Sequence, residues 1–338
     1  MPTLAYYRRI FSAYLTGAQS QLTFWHETPG ENPNATPGKL GEYYMLFTEK
    51  ADYQGAYDSF GIPQLDYRGA IGVQYNPIAI AQYGLGNYNL FRRNGDAERR
   101  KKFFLTADWL CSHLEQNAHG LSVWNHHFDW EYCDTLKAPW YSALAQGHGI
   151  SVLVRAHLLL NEKDSGDPRY LEAARSALAS FYQPIDRGGV AFTDESGDLW
   201  FEEYIVSPPT HILNGFIWAL WGIYDYWLAT KDSSARELFS CAVRTLLHNL
   251  DRYDLGFWSL YEQSGTRLPM VASPFYHRLH IVQLRVMQRL TASGTGGLGL
   301  TEHDTFARVA DRWESYAGSR ANRARALCYK SAFKLLYY

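Results

Sequence analysis

The segment THILNGFIWALWGIYDYW, residues 210–227, is too long for a strand and is apolar on most faces of a helix. Asp225 interrupts the apolar run, which is also too short to cross a bilayer. A helix of this kind is surrounded by protein, so the segment predicts an inner helix of a two-layer helical fold. Similar buried helices are predicted to begin near Tyr75, Trp140 and Phe275, about 65 to 70 residues apart.

An amphipathic stretch follows each of these four segments. Its apolar residues recur every three or four positions, which is typical of a helix with one buried face. These residues are Phe103, Ala107, Leu110 and Leu114; Leu171, Ala174, Leu178 and Phe181; Leu238, Ala242, Leu246 and Leu250; and Phe306, Val309, Trp313 and Tyr316. The first three stretches lead into the short β-like runs GLSVW, GGVAF and GFWSLY, which start at Gly120, Gly188 and Gly256.

The alternation predicts a mainly α fold, an (α/α) barrel or toroid of about four helix pairs. In such a barrel the β-hairpins and the starts of the inner helices share one end, which is where we expect an active site. Residues 1–70 are rich in Gly, Pro and Tyr and do not fit the repeat. We therefore expect an N-terminal loop and β-hairpin segment over residues 1–70 and a barrel domain over residues 71–338.

Composition narrows the function classes. The chain has 338 residues, 46% of them hydrophobic, which is enough for a substantial core. The formal net charge of −2 argues against a nucleic-acid partner. The four cysteines form no C-x-x-C pair, so neither a zinc site nor a disulfide framework is expected. No long apolar run resembling a signal peptide is found at the N-terminus, and we expect a soluble, cytoplasmic protein.

The stretch EEYIVSPP, residues 202–209, directly precedes the third inner helix and places Glu203 and Tyr204 at the predicted active-site end. Pro208 and Pro209 restrict the backbone there. Tyr261 follows on the next β-like run, and Tyr276, His277, Arg278 and His280 start the last inner helix. A carboxylate among phenols suits proton transfer at a carbon next to a carboxylate group. Glycoside hydrolysis needs two carboxylates across a sugar, whereas adjacent Glu202 and Glu203 are expected to point apart.

Structural roles compete with these assignments. Glu202 alone is more typical of a surface or hairpin charge, Glu203 and Tyr204 could cap a helix, and Tyr276 could belong to the core. His277 and His280 have a metal-like spacing, but the sequence offers no third ligand, so no metal is expected.

Five motifs, in this order, resemble the C-terminal catalytic region of the D-glucuronyl C5-epimerases. They are YNPIAIAQYGL from Tyr75, PWYSALAQGHGISVLVRAHL from Pro139, EEYIVSPPTHILNGFIWALWGIYD from Glu202, YHRLHI from Tyr276 and GSRANR from Gly318. The resemblance implies an (α/α) barrel that converts D-glucuronic acid to L-iduronic acid residues within heparosan-like polysaccharides during their biosynthesis. It implies an isomerase without a cofactor, and a homodimer formed through the C-terminal region.

Carried over by motif, the catalytic residues are Glu203, Tyr204, Tyr261 and Tyr276. Substrate contacts are expected from Tyr75, Trp140, Tyr141, Gln146, Asn214, His277, Arg278, His280 and Arg320, with Trp124 and Arg187 as further candidates. The partner is then an acidic polysaccharide, with no membrane span and no nucleic acid.

The chain departs from the animal members at several positions. Ile205 replaces the proline after the Glu-Tyr pair, and a few residues (90–102) replace a large β-rich insertion. Ser264 replaces the basic residue after the hairpin tyrosine, and Ser273 the arginine before the YH element, so Arg278 or Arg267 is expected to bind the substrate carboxylate. A polysaccharide lyase, a glycoside hydrolase on the same barrel and a non-catalytic glycan-binding protein remain alternatives.

Overall fold

The computed structural model describes residues 27–161, 167–292 and 303–337. The expectations for residues 1–26 lie outside these ranges. The helices of the described part are α1 Thr48–Ala51, α2 Pro77–Asn94, α3 Ala97–Ser112, α4 Ala143–Asn161, α5 Arg169–Leu178, α6 Leu213–Thr230, α7 Ser233–Asn249, α8 Pro274–Thr291, α9 His303–Gly318 and α10 Arg320–Tyr337. Short 3-10 turns at Ala179–Tyr182, Ile185–Arg187 and Leu250–Tyr253 extend the helical segments.

The strands are short and antiparallel. They are β1 Ala56–Tyr57, β2 Pro63–Asp66, β3 Val73–Gln74, β4 Glu115–Gln116, β5 Ser122–Val123, β6 Ala191–Thr193 and β7 Leu199–Phe201. β2 lies between β1 and β3, with Ala56 opposite Gln64 and Leu65 opposite Gln74. β4 pairs with β5 and β6 with β7 as hairpins.

The mainly α fold class is confirmed. α2, α4, α6 and α8 are the four predicted inner helices, and α3, α5, α7 and α9 are the four outer ones. Two of the β-like runs form hairpins, and the third, near Gly256, contributes isolated bridges at Ser259 and Leu260. Helices α1 and α10 were not predicted. Closure of the pairs into a ring, and the boundary near residue 70, stay predictions.

Local sequence explains where the helices begin. The Asn76 side chain accepts hydrogen bonds from the backbone N–H groups of Ile78 and Ala79, and Pro77 occupies the first helical position of α2. Ser273 and Pro274 repeat this arrangement at α8, where the Ser273 hydroxyl accepts from the Tyr276 N–H. Ser273, the residue that replaces a family arginine, therefore serves as a helix cap.

The chain divides into two compact units. We call residues 32–209 and 215–245 the N-terminal unit. Residues 27–31, 210–214, 246–292 and 303–337 are the described part of the C-terminal unit. In the N-terminal unit α2 packs on α3 and α4, and α4 packs on α5. In the C-terminal unit α8 packs on α9, and α9 contacts α10.

Helices α4 and α6 pack closely within the N-terminal unit. A Cβ on Gly147 would lie 2.7 Å from the Ala219 Cα, and one on Gly222 would lie 2.3 Å from the Gly147 carbonyl oxygen. Only glycine permits this backbone approach. One to two turns further on, buried Arg155 of α4 forms an ion pair with buried Asp225 of α6 at 2.5 Å.

Neighbouring groups form further hydrogen bonds with both members of this ion pair. Tyr44 donates to the Asp225 carboxylate at 2.6 Å, and the Arg155 guanidinium donates to the carbonyl oxygens of Gly41 and Ser151. Asp225, which interrupts the apolar run of α6, is therefore a structural tie between two inner helices. Across the described ranges, no helix is long and apolar enough to span a membrane.

Candidate active site

The backbone of Glu202 fixes the position of the Glu-Tyr pair. Its N–H donates to the Val190 carbonyl oxygen, and its carbonyl oxygen accepts from the N–H of Ala143, the first residue of α4, both at 2.9 Å. The Glu202 side chain is fully buried, so a surface position is wrong, whereas its place directly after β7 agrees with the hairpin position. Because Glu202 is held by both the β6–β7 hairpin and α4, the next residue leaves the hairpin in a defined direction.

The Glu203 side chain is also buried, at 5% exposure, and lies against α6. A Cβ added to Gly215 would lie 2.1 Å from Glu203 Oε2 and 2.7 Å from the Glu203 Cβ. The third residue of α6 must therefore be glycine for the carboxylate to occupy this place. Sequence reasoning missed Gly215, although it stands in the quoted motif.

Tyr204 is partly exposed and packs on an aromatic surface. Its ring centroid lies 4.6 Å from that of Tyr132 and 5.7 Å from that of Trp140. Trp140 belongs to a small buried cluster with Phe128, Leu136 and Val206. The indole N–H of Trp140 donates to the Phe128 carbonyl oxygen at 2.8 Å, which holds the ring that supports Tyr204.

The Trp140 ring also stacks on His126, with centroids 3.8 Å apart and planes at 4°. We call this the Trp140–His126 stack. Burial lowers the pKa of His126 to about 3, so the ring is neutral. His127, the neighbouring histidine, is exposed and contacts Glu115 at 2.9 Å, so the two rings do not act as a ligand pair.

Other predicted contacts of the N-terminal unit have protein partners. The buried Gln146 amide accepts from the Trp124 N–H and donates to oxygens of Ser122, Ala177 and Ser180, which favours a structural role. Trp124 is also fully buried, and its ring packs against Gly149. The Tyr141 hydroxyl donates to the Gly188 carbonyl oxygen at 2.8 Å.

Tyr75 lies beside Asp58, Trp109 and His113. Its hydroxyl donates to the Asp58 carboxylate at 2.7 Å. Burial, together with the Asp58 carboxylate, raises the pKa of Tyr75 to about 12. Its contact with substrate stays a prediction.

In the C-terminal unit the structure brings Tyr261 and Tyr276 together. Their ring centroids lie 4.8 Å apart in an edge-to-face arrangement. The Tyr261 backbone is fixed because its N–H donates to the Met270 carbonyl oxygen and its own carbonyl oxygen accepts from the Leu213 N–H. Tyr276 sits in the first turn of α8, where Ser273 caps its N–H. Two predicted catalytic phenols thus meet from separate elements.

His277 and His280 lie in the interior. His277 stacks on Trp258 with centroids 3.8 Å apart and planes at 13°, and we call this the Trp258–His277 stack. His277 Nδ1 lies 2.8 Å from the Ser259 hydroxyl, and Nε2 lies 2.9 Å from the Trp313 carbonyl oxygen. His280 Nδ1 lies 3.1 Å from the same hydroxyl. Both rings are at most 1% exposed, which favours structural roles over direct contact with substrate.

The remaining predicted contacts are one buried amide and several exposed cations. Asn214 is 1% exposed, and its backbone oxygen accepts from the Gln283 amide at 2.9 Å. Arg278, Arg320, Arg187 and Arg267 are all exposed, so burial does not single out one of them. Within the described ranges, no group of three or more His, Cys, Asp or Glu residues could hold a metal ion.

Residues 116–315 match the family model for the D-glucuronyl C5-epimerase C-terminus, which is more than half of the chain. The chain therefore belongs to this family. It is 34% identical over 235 residues to D-glucuronyl C5-epimerase of Caenorhabditis elegans, a match that covers 65% of this chain and 35% of that protein. The chain thus spans about a third of the length of this curated relative.

Two further proteins are similar. An uncharacterized protein of Methanocaldococcus jannaschii is 29% identical over 200 residues, covering 56% of this chain and 62% of that protein. A crystal structure of an unsaturated glucuronyl hydrolase specific for heparin is 12% identical, covers 97% of both chains and has a TM-score of 0.48.

Proposed function

We propose that this chain is an isomerase that inverts C5 of D-glucuronic acid residues within a heparosan-like polysaccharide. The observation that carries the proposal is the Tyr261–Tyr276 pair, two phenols in ring contact inside the region that matches the epimerase family. A phenol held in the first turn of a helix and in contact with a second phenol suits proton transfer to and from carbon, and hydrolysis does not require such a pair. The buried Glu203 carboxylate supplies a second group able to hold a proton.

The reaction needs one proton removed and one returned. The C5–H bond breaks, its electron pair delocalises into the adjacent carboxylate as an enediolate, and a new C5–H bond forms from the opposite face. No net oxidation or reduction occurs. We assign Tyr276 to one face of C5 and Glu203 to the other, with Tyr204 and Tyr261 tuning or relaying the proton transfer. Fixed donors or cations must stabilise the added negative charge, and the exposed arginines are the candidates.

The deciding experiment is incubation of the protein with heparosan in deuterated water, followed by proton NMR. Deuterium at C5 together with iduronate signals is the expected result. Loss of the C5 proton with ultraviolet absorbance from unsaturated ends would assign a lyase instead. New reducing ends without exchange would assign a hydrolase, and binding without turnover would assign a glycan-binding protein.

A matched pair of variants tests Glu203. Glu203→Gln keeps the shape but removes the base, and should reduce the exchange rate by about 100-fold or more. Gly215→Ala keeps Glu203 but pushes its carboxylate aside, and should reduce the rate by about 10-fold. Gly41→Ala is the control because a Cβ there meets nothing within 4 Å. Full activity of Glu203→Gln with reduced stability would instead show a helix-capping role.

The finer assignments rest on the family resemblance. We propose an acidic polysaccharide as partner and a homodimer formed through the C-terminal region. Light scattering during gel filtration measures the mass of the assembly. Repeating the deuterium experiment with N-sulfated and unmodified polymers measures the sulfation preference.

A further inference from the structure

A surface cavity of about 470 Å³ lies beside α3 in the N-terminal unit. Pockets for drug-sized ligands usually measure about 300–1,000 Å³, a size class that includes a disaccharide. Helix α3 supplies most of the wall, and the end of α4 and the start of α5 supply the rest. None of the wall residues is among the proposed catalytic or substrate-binding residues.

The cavity occupies one side of α3. The wall residues of this helix recur every three or four positions, so they share a face. They are Ala97, Arg100, Lys101, Phe104, Leu105 and Asp108. The stripe that predicted this helix, Phe103, Ala107 and Leu110, is fully buried and lies on a different side. Helix α3 therefore has a second face, with its own chemistry, beside the one that packs into the core.

Two cations stand next to each other at the N-terminal end of this face. The Arg100 guanidinium lies over the Phe104 ring, 4.6 Å from its centroid, which orients the side chain. Lys101 is exposed. Among the described residues, neither Arg100 nor Lys101 forms an ion pair. Glu98, in the same turn of the helix, does not line the cavity. Both cations are therefore available to an anionic group in the cavity.

The charges at the other end of the wall balance each other. Asp108 forms an ion pair with Arg169 at 2.9 Å and accepts from the Tyr170 hydroxyl at 2.6 Å. Asp108 follows Lys101 by seven residues, which is about 10 Å along a helix axis. Exposed charges that far apart are largely screened at physiological ionic strength, where the Debye length is about 8 Å. The carboxylate of Asp108 therefore does not cancel the positive charge at the Arg100 end.

Apolar side chains form the part of the wall between these ends. They are Phe104, Leu105 and Leu160. One face of a sugar ring carries mainly C–H groups, which pack against such a surface. The planar guanidinium of Arg100 can donate two parallel hydrogen bonds to a carboxylate or sulfate, and Lys101 adds a second positive charge. The wall thus complements a ring that carries one acidic group.

We propose that this cavity is a second binding site for an acidic polysaccharide. Arg100 and Lys101 bind the carboxylate or sulfate group of one sugar unit, and Phe104, Leu105 and Leu160 contact the C–H face of a ring. Only the identity of the polymer as heparosan-like rests on the proposed function. The site takes no part in the proton transfer, and it holds sugar units other than the one that reacts.

Fluorescence anisotropy of a labelled heparosan oligosaccharide measures the binding. In the double variant Arg100→Gln/Lys101→Gln, which we call the cavity variant, the dissociation constant should rise at least about tenfold, equivalent to about 1.4 kcal/mol. Arg100→Lys/Lys101→Arg keeps both charges and should retain most of the affinity. Circular dichroism checks folding, and Lys101→Gln alone, at an exposed position, tests the same prediction if the double variant does not fold.

A charge-matched control separates the cavity from general electrostatic attraction. Lys39→Gln/Arg244→Gln removes two exposed cations elsewhere in the N-terminal unit and should bind as the wild type does. Equal affinities of the cavity variant and this control would overturn the proposal. An equally large loss of affinity for a single-stranded DNA oligonucleotide would also overturn it, because the cations would then bind any polyanion.

The choice of polymer identifies the acidic group. A loss of affinity for unmodified heparosan would assign the carboxylate, and a loss only for the N-sulfated polymer would assign the sulfate. Binding is measured without turnover. A protein that binds heparosan through the cavity but exchanges no C5 proton would reject the proposed function alone. Exchange by a protein whose affinity is unchanged in the cavity variant would reject the second binding site alone.

Discussion

The Trp140–His126 stack of the N-terminal unit and the Trp258–His277 stack of the C-terminal unit have nearly the same geometry, with centroids 3.8 Å apart in both. Their hydrogen bonds differ. His277 Nδ1 accepts from the Ser259 backbone N–H at 3.2 Å, so the proton of the neutral ring lies on Nε2 and is donated to the Trp313 carbonyl oxygen. His126 Nδ1 lies 3.2 Å from the Trp140 carbonyl oxygen and must carry the proton.

The two histidines are therefore opposite tautomers, and their ring nitrogens make different numbers of hydrogen bonds. Both nitrogens of His277 are bonded, whereas His126 Nε2 has no partner among the described residues. Each stack adjoins a proposed catalytic tyrosine. His277 directly follows Tyr276 in the chain, and the Trp140 ring supports Tyr204. The firmer attachment in the C-terminal unit favours Tyr276 as the phenol that must be held most accurately.

The largest expected difference is in turnover. Tyr276→Phe removes the proposed proton-transfer group and should reduce C5 exchange by about 100-fold to 10,000-fold. Tyr204→Phe removes a supporting hydroxyl and should reduce the rate of C5 exchange by less than about 10-fold. Exchange rates in deuterated water measure both. Equal losses in the two folded variants would reject the assignment of Tyr276 as the main proton-transfer residue.

The next difference is in stability. His277→Phe preserves a stacked ring but leaves the Trp313 carbonyl oxygen and the Ser259 N–H without the histidine, which should lower the free energy of unfolding by about 2–4 kcal/mol. His126→Phe should cost less than about 1 kcal/mol, because the Trp140 carbonyl oxygen still accepts from the His126 backbone N–H at 2.6 Å. Urea denaturation measures both, and a larger cost for His126→Phe would contradict the comparison.

A third comparison of the two stacks concerns how their histidines affect stability at acidic pH. Burial lowers the pKa of His126 to about 3 and that of His277 to about 4, so both are neutral in the folded state and take up a proton on unfolding below their ordinary pKa. Each histidine therefore lowers the free energy of unfolding by about 2 kcal/mol as the pH falls from about 6.5 to about 5. The raised pKa of Glu262, caused by burial, acts in the opposite sense, because that group takes up a proton on folding between about 4.5 and 7.

Single variants separate the contribution of each histidine from those of the other titrating groups. The dependence of unfolding free energy on pH between 5 and 6.5 should be shallower in both His126→Phe and His277→Phe than in the wild type. The change should be similar in the two variants, although their stabilities at neutral pH differ. An unchanged slope in either variant would show that its histidine is already charged in the folded protein.

The helix pairs could be predicted from the sequence, and Tyr261 and Tyr276 could be grouped as candidate catalytic residues, because hydrophobic period and motifs are local signals; their ring contact was not predicted. The sequence did not show that His277 and His280, which were expected to contact substrate, are buried in the core. His277, His280 and Gln146 occupy motif positions, yet they bond groups distant in the chain: the Trp313 carbonyl oxygen, the Ser259 hydroxyl and the Ala177 carbonyl oxygen, respectively. Gly215 was missed for a related reason, since only the fold shows that its missing Cβ makes room for Glu203.

The smallest expected effect concerns Ser259, which has no counterpart in the Trp140–His126 stack. Its hydroxyl lies between His277 Nδ1 and His280 Nδ1. Ser259→Ala should lower the free energy of unfolding by about 1 kcal/mol, because the backbone N–H of residue 259 can still donate to His277. Ser315→Ala, which removes an exposed hydroxyl of α9, is the control.

In a double variant that combines Ser259→Ala with His277→Phe, the two losses of unfolding free energy should be less than additive, since both substitutions remove the same hydrogen bond. Full additivity would show that the Ser259 hydroxyl bonds His280 alone. His277 would then be held by backbone groups, the Ser259 N–H and the Trp313 carbonyl oxygen.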